Sequence, residues 1–67
     1  MQLVVNGNPM EIAGEGLSIR DFVKTLPIGD QPVLLELNGE AVLTREFDEK
    51  FVRDGDTVEV IRMVAGG

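Results

Sequence analysis

The residues of this chain best suited to chemistry are its last two. Gly66 and Gly67 follow a strand-like run, Thr57-Val58-Glu59-Val60-Ile61-Arg62-Met63-Val64, with Ala65 between. Glycine has no Cβ to clash, so a diglycine end is slim enough to thread a narrow channel. The terminal carboxylate of Gly67 then sits at the tip of an arm. A protein whose own C-terminus is the substrate would be built this way. The plain alternative is a frayed, glycine-rich end without a role.

Little else in the chain offers catalysis. There is no Cys and no His, which removes thiolate nucleophiles, disulfides, thiolate metal sites and the usual general base. Ser18 is the sole serine and has no histidine to activate it. No catalytic residue and no metal site is expected. Twelve acidic against six basic residues give a formal net charge of −6. Such a surface repels phosphate backbones, so no nucleic-acid partner is expected, and a protein with a basic docking face is the natural complement. No apolar run approaches the roughly 20 residues that span a bilayer, and no signal-peptide pattern opens the chain. The expected location is the cytoplasm, with no membrane partner.

The elements that must carry the diglycine arm are short. Sixty-seven residues make one small domain with a thin core. Gln2-Leu3-Val4-Val5 reads as a strand, Asn6-Gly7 as a hairpin turn, and Pro9-Met10-Glu11-Ile12-Ala13 as the return. Gly14-Glu15-Gly16 breaks that strand. Ser18 caps a helix, with Asp21 in the first turn and Leu17 and Phe22 as a hydrophobic staple. Ile19, Phe22, Val23 and Leu26 form one apolar stripe, and Pro27 and Gly29 end it. Pro32 to Leu37 is a mostly buried strand, Asn38-Gly39 a second hairpin turn, and Ala41-Val42-Leu43 its return. Residues 44–53 predict an irregular or short helical connection anchored by Phe47, Phe51 and Val52. Asp54-Gly55-Asp56 turns into the last strand. One helix with five strands predicts an α+β fold, the helix packed on one sheet face.

Strand parity then divides the apolar residues. Leu3, Val5, Met10, Ile12, Val33, Leu35, Leu37, Val58 and Val60 point at the helix. Val4, Leu34, Ile61 and Met63 fall on the other face, where no further element remains to cover them. Uncovered aliphatic clusters commonly mark partner sites, so these four residues are the expected docking patch. A one-residue slip, or cover by long Glu and Arg stems, would remove it.

Taken in order, Met1-Gln2-Leu3-Val4-Val5-Asn6-Gly7, Leu37-Asn38-Gly39-Glu40-Ala41-Val42, Asp54-Gly55-Asp56-Thr57-Val58-Glu59-Val60-Ile61 and Val64-Ala65-Gly66-Gly67 resemble the thiamine-biosynthesis sulfur-carrier protein (ThiS) family. The resemblance spans the whole chain and implies a ubiquitin-like β-grasp, a mixed sheet of about five strands with one main helix on one face. It implies a single domain, residues 1–67, with a flexible C-terminal arm from about residue 62. The family often has a Pro-Arg pair and an aromatic residue after the second hairpin. Here that stretch is Val42-Leu43-Thr44-Arg45-Glu46-Phe47, and no role is assigned to it.

The resemblance also implies a carrier that is a co-substrate of enzymes, without a bound cofactor. A ubiquitin-activating-enzyme-like adenylyltransferase would use ATP to activate the Gly67 carboxylate. A cysteine desulfurase or another sulfur donor would convert the acyl adenylate to a thiocarboxylate, and thiazole synthase would take the sulfur. Free α-carboxyls ionise with a pKa of roughly 3.3–3.7 and are poor electrophiles, which is why activation is needed. The arm from Arg62 to Gly67 would reach roughly 16–20 Å when extended. Three other readings remain open on the residues alone: the small subunit of molybdopterin synthase, a ubiquitin-like protein modifier, and an interaction domain with an incidental diglycine.

Overall fold

The Asn-Gly pairs at 6–7 and 38–39 set the frame, because both residues of each pair hold positive φ. Asn6 and Gly7 lie at 51° and 82°, and Asn38 and Gly39 at 51° and 86°. That is the backbone of a two-residue type I′ hairpin, whose twist matches the flanking strands. The computed structural model describes residues 1–29 and 31–63. In chain order its elements are β1 (Gln2–Val5), β2 (Asn8–Glu11), β3 (Gly16–Ser18), α1 (Ile19–Lys24), β4 (Val33–Leu37), β5 (Glu40–Val42), a 3-10 turn (Thr44–Glu46), β6 (Phe51–Arg53) and β7 (Thr57–Arg62).

The main sheet has the order β2-β1-β7-β4-β5. The first turn makes β1 and β2 antiparallel, and the second does the same for β4 and β5. The last strand inserts between the two hairpins, parallel to β1 and antiparallel to β4. This mixed sheet with a helix across it is the ubiquitin-like β-grasp. Leu3, Val5, Val33, Leu35, Val42 and Val58 face inward and meet Ile19 and Phe22 of α1 in one buried cluster. Met10, Ile12, Leu37 and Val60 are partly buried against it. Parity thus assigns the inner face correctly.

The helix starts as its cap residue dictates. Ser18 Oγ accepts the Asp21 N–H at 3.1 Å. Leu17 packs partly buried against the core cluster to which the fully buried Phe22 belongs. The helix is shorter than the apolar stripe suggests. It ends at Lys24, and the Thr25 and Leu26 N–H groups close the last turn on Phe22 and Val23 carbonyls. Leu26 still packs against the core from outside the helix.

Two segments differ from expectation. Gly16 opens β3 instead of merely breaking β2, and residues 51–53 are a strand instead of an irregular connection. The two pair antiparallel, Leu17 opposite Val52, and form a separate two-stranded ribbon beside α1. Phe47 and Val52 are buried, but Phe51 is 43% exposed and does not anchor the core. The Arg53 guanidinium covers its ring, 5.7 Å from the centroid.

Candidate functional site

Strand β7 is the element that carries the C-terminal arm, and both of its edges are held. On the β1 side, Val4 and Asn6 N–H groups donate to Asp56 and Val58 carbonyls at 3.0 and 2.9 Å. On the β4 side, register pairs run from Leu37 opposite Val58 to Val33 opposite Arg62. Met63 N–H donates to the Pro32 carbonyl at 2.9 Å, so the sheet bonding reaches the last described residue. Val64, and with it Ala65, Gly66 and Gly67 of the expected arm, lies outside the described residues.

The turn before β7 is fastened too. Gln2 N–H donates to Asp54 Oδ1 at 2.6 Å, and Gly55 N–H donates back to the Gln2 carbonyl at 2.7 Å. Asp56 accepts from Arg53 N–H at 2.8 Å and from Asn38 Nδ2 at 3.1 Å. The Asp-Gly-Asp motif therefore fixes where β7 begins, with its carboxylates as acceptors and Gly55 at a φ of 90°.

The four residues of the expected docking patch are all exposed: Val4 39%, Leu34 50%, Ile61 50% and Met63 51%. They do not form one cluster. Leu34 stands directly opposite Ile61 across β4 and β7. Met63 follows two residues on, past the end of β7. Val4 instead lies beside Thr57, with Pro9 on its other side. Ile61 lies four positions along β7 from Thr57, about 14 Å at strand spacing. Between them on the same face is the pair Glu36 and Glu59, directly opposite each other. The open face thus reads, from the arm end, as an aliphatic rung, an acidic rung, and a smaller Val4–Pro9 spot.

One contributor escaped the sequence reading. The Asn6 side chain reaches across to β7, where Oδ1 accepts the Val60 N–H at 2.7 Å and Nδ2 donates to the Val60 carbonyl at 3.1 Å. The signal was present in the residue type. Glycine or Asp also suits a type I′ turn, but only Asn supplies a donor and an acceptor together.

Among the described residues no group of acidic side chains is arranged to hold a metal ion, and no helix is long and apolar enough to cross a membrane. No buried side-chain polar atom there lacks a partner. What the described fold offers is a last strand hydrogen-bonded on both edges beside an open face.

A family model described as the ThiS family matches residues 3–67. A sulfur carrier protein ThiS from Thermus thermophilus is 33% identical over 63 residues, covering 94% of this chain and 95% of that protein. The ycf40 protein of Porphyra purpurea is 28% identical over 67 residues, covering 100% of this chain and 93% of that one. A crystal structure of a thiamine biosynthesis protein (ThiS) from Geobacter metallireducens is 36% identical, covers 100% of both chains and superposes with a TM-score of 0.87. A solution structure of a thiamine biosynthesis protein from the same organism gives a TM-score of 0.81 at 38% identity, over 100% of this chain and 88% of that one.

Proposed function

This chain belongs to the ThiS family, and we propose on that footing that it is a sulfur carrier whose terminal Gly67 carboxylate is the working group. The observation that carries the reading is the family match running through residue 67, together with a β7 held as far as Val60 on the β1 side and as far as Met63 on the β4 side. In this reading ATP and a partner adenylyltransferase convert the carboxylate to an acyl adenylate, with release of pyrophosphate. Sulfide-level sulfur displaces AMP to leave a thiocarboxylate directly, whereas a persulfide donor first gives an acyl disulfide that a thiol must cleave by reduction. Thiazole synthase then takes that sulfur for thiamine. The carrier is not itself an enzyme.

Each residue class has a task in this scheme. Adenylation supplies the leaving group that a carboxylate lacks. Glycine at 66 and 67 leaves the approach to the carbonyl carbon uncrowded. The Leu34–Ile61 rung supplies apolar contact at the arm end of the open face. Beside it, Glu36 and Glu59 complement a partner surface bearing Lys or Arg, in keeping with the net charge of −6.

The test is adenylation itself. The purified chain with the host's adenylyltransferase should exchange pyrophosphate into ATP, and removal of Gly67 should abolish that exchange. Exchange that persists without Gly67 would place the activated group elsewhere and refute the reading.

A further inference from the structure

β1 and β7 pair in register as far as Val5 opposite Val58. One rung further along β7, the β1 backbone has already turned away through Asn6-Gly7. The Asn6 carboxamide stands in for it, accepting the Val60 N–H and donating to the Val60 carbonyl. A carboxamide carries the same donor and acceptor as a peptide group, so it continues the ladder by one rung toward the arm. On the opposite edge, Met63 N–H is held by the Pro32 carbonyl.

We propose that Asn6 is a positioning residue for the chemistry at Gly67, fixing the direction in which β7 delivers the arm relative to the open face. This rests on the function proposed above. A tethered carboxylate reacts at a rate set by how often it is seated in the partner's site. Swing at the root of the arm lowers that fraction without touching the docking face. Asn38 is the internal control. It has the same φ of 51° in the same kind of turn, and it too clips β7, accepting the Thr57 N–H at 2.9 Å. That clip lies at the opposite end of β7 from the arm.

The experiment compares Asn6→Gly with Asn38→Gly. Glycine adopts positive φ freely, so both turns persist while each clip is lost. Amide hydrogen exchange is read at Val60 and Thr57, and kcat and KM are read for ATP-dependent adenylation by the host's adenylyltransferase. Asn6→Gly should speed Val60 exchange by about threefold to tenfold, the worth of a typical hydrogen bond. Its kcat should fall by about as much while KM changes less than about twofold. Asn38→Gly should speed Thr57 exchange and leave kcat within about twofold. Equal kcat losses in the two variants, or an unchanged kcat in Asn6→Gly, would overturn the proposal. Should Asn6→Gly fail to fold, Asn6→Asp retains the acceptor for Val60 N–H and should give a smaller kcat loss; an undiminished kcat there also overturns it. If the wild-type chain is not adenylated at all, the proposed function fails. Val60 exchange then still decides the clip, and an unchanged rate in Asn6→Gly removes it.

Discussion

Glu36 and Glu59 stand directly opposite each other across β4 and β7, on the face the helix leaves open. The ion pairs among the described residues are Arg20 with Asp48 and Lys24 with Asp21, so no cation is paired with either glutamate. Like charges opposed across strands work against folding. Glu59→Gln should therefore raise stability by about 0.2–1 kcal/mol, and less at high salt. Urea denaturation at two ionic strengths checks this. A destabilised variant would show that the pair is not repulsive.

The same glutamates should speed encounter with a basic partner. Glu59→Gln is expected to slow association with the adenylyltransferase, with the difference shrinking as salt rises. Stopped-flow association across a salt series reads it directly. Salt-independent rates in the wild type would rule out steering by this face.

Ile61 tests the aliphatic rung. Ile61→Thr keeps a β-branched side chain on a half-exposed position, so its stability should change by no more than about 0.5 kcal/mol. If Leu34 and Ile61 form the centre of the docking face, its Kd for the adenylyltransferase should rise about tenfold. Calorimetric titration decides the matter, and an unchanged Kd would move docking away from this rung.

Ser18 and Phe22 test the packing that holds the sheet in shape. Ser18→Ala removes the acceptor for Asp21 N–H and should cost about 1 kcal/mol, or roughly 4–8 °C in Tm. Phe22 is fully buried, and Phe22→Ala should cost about 3–5 kcal/mol. In a domain this small that is most of the folding free energy, so the variant should be largely unfolded by circular dichroism. A well-folded Phe22→Ala would mean the core does not depend on α1.

Much of this fold is legible in the residues because its strands alternate cleanly. Leu3 and Val5 point inward while Val4 points out, and Leu35 and Leu34 divide in the same way. The Asn-Gly turns and the Ser18 cap carry their own chemistry and are read from residue type alone. What escaped is what only the third dimension supplies. Gly16–Ser18 and Phe51–Arg53 are three residues each, too short for alternation to show, and they become strands only by meeting one another. The parallel register that seats Val4 beside Thr57, away from Ile61, joins the two ends of the chain and leaves no local trace. The Asn6 bond to Val60 was hidden because the turn already accounts for an asparagine.

The central claim concerns Gly67, and the intact mass of the chain from its native host, without a C-terminal tag, tests it most directly. Replacement of one terminal oxygen by sulfur adds about 16 Da, a shift that methionine oxidation nearly duplicates, so the C-terminal peptide must be fragmented to place it. The account predicts a fraction carrying sulfur on Gly67. A terminus that stays unmodified when the adenylyltransferase, ATP and a sulfur donor are all supplied would contradict it.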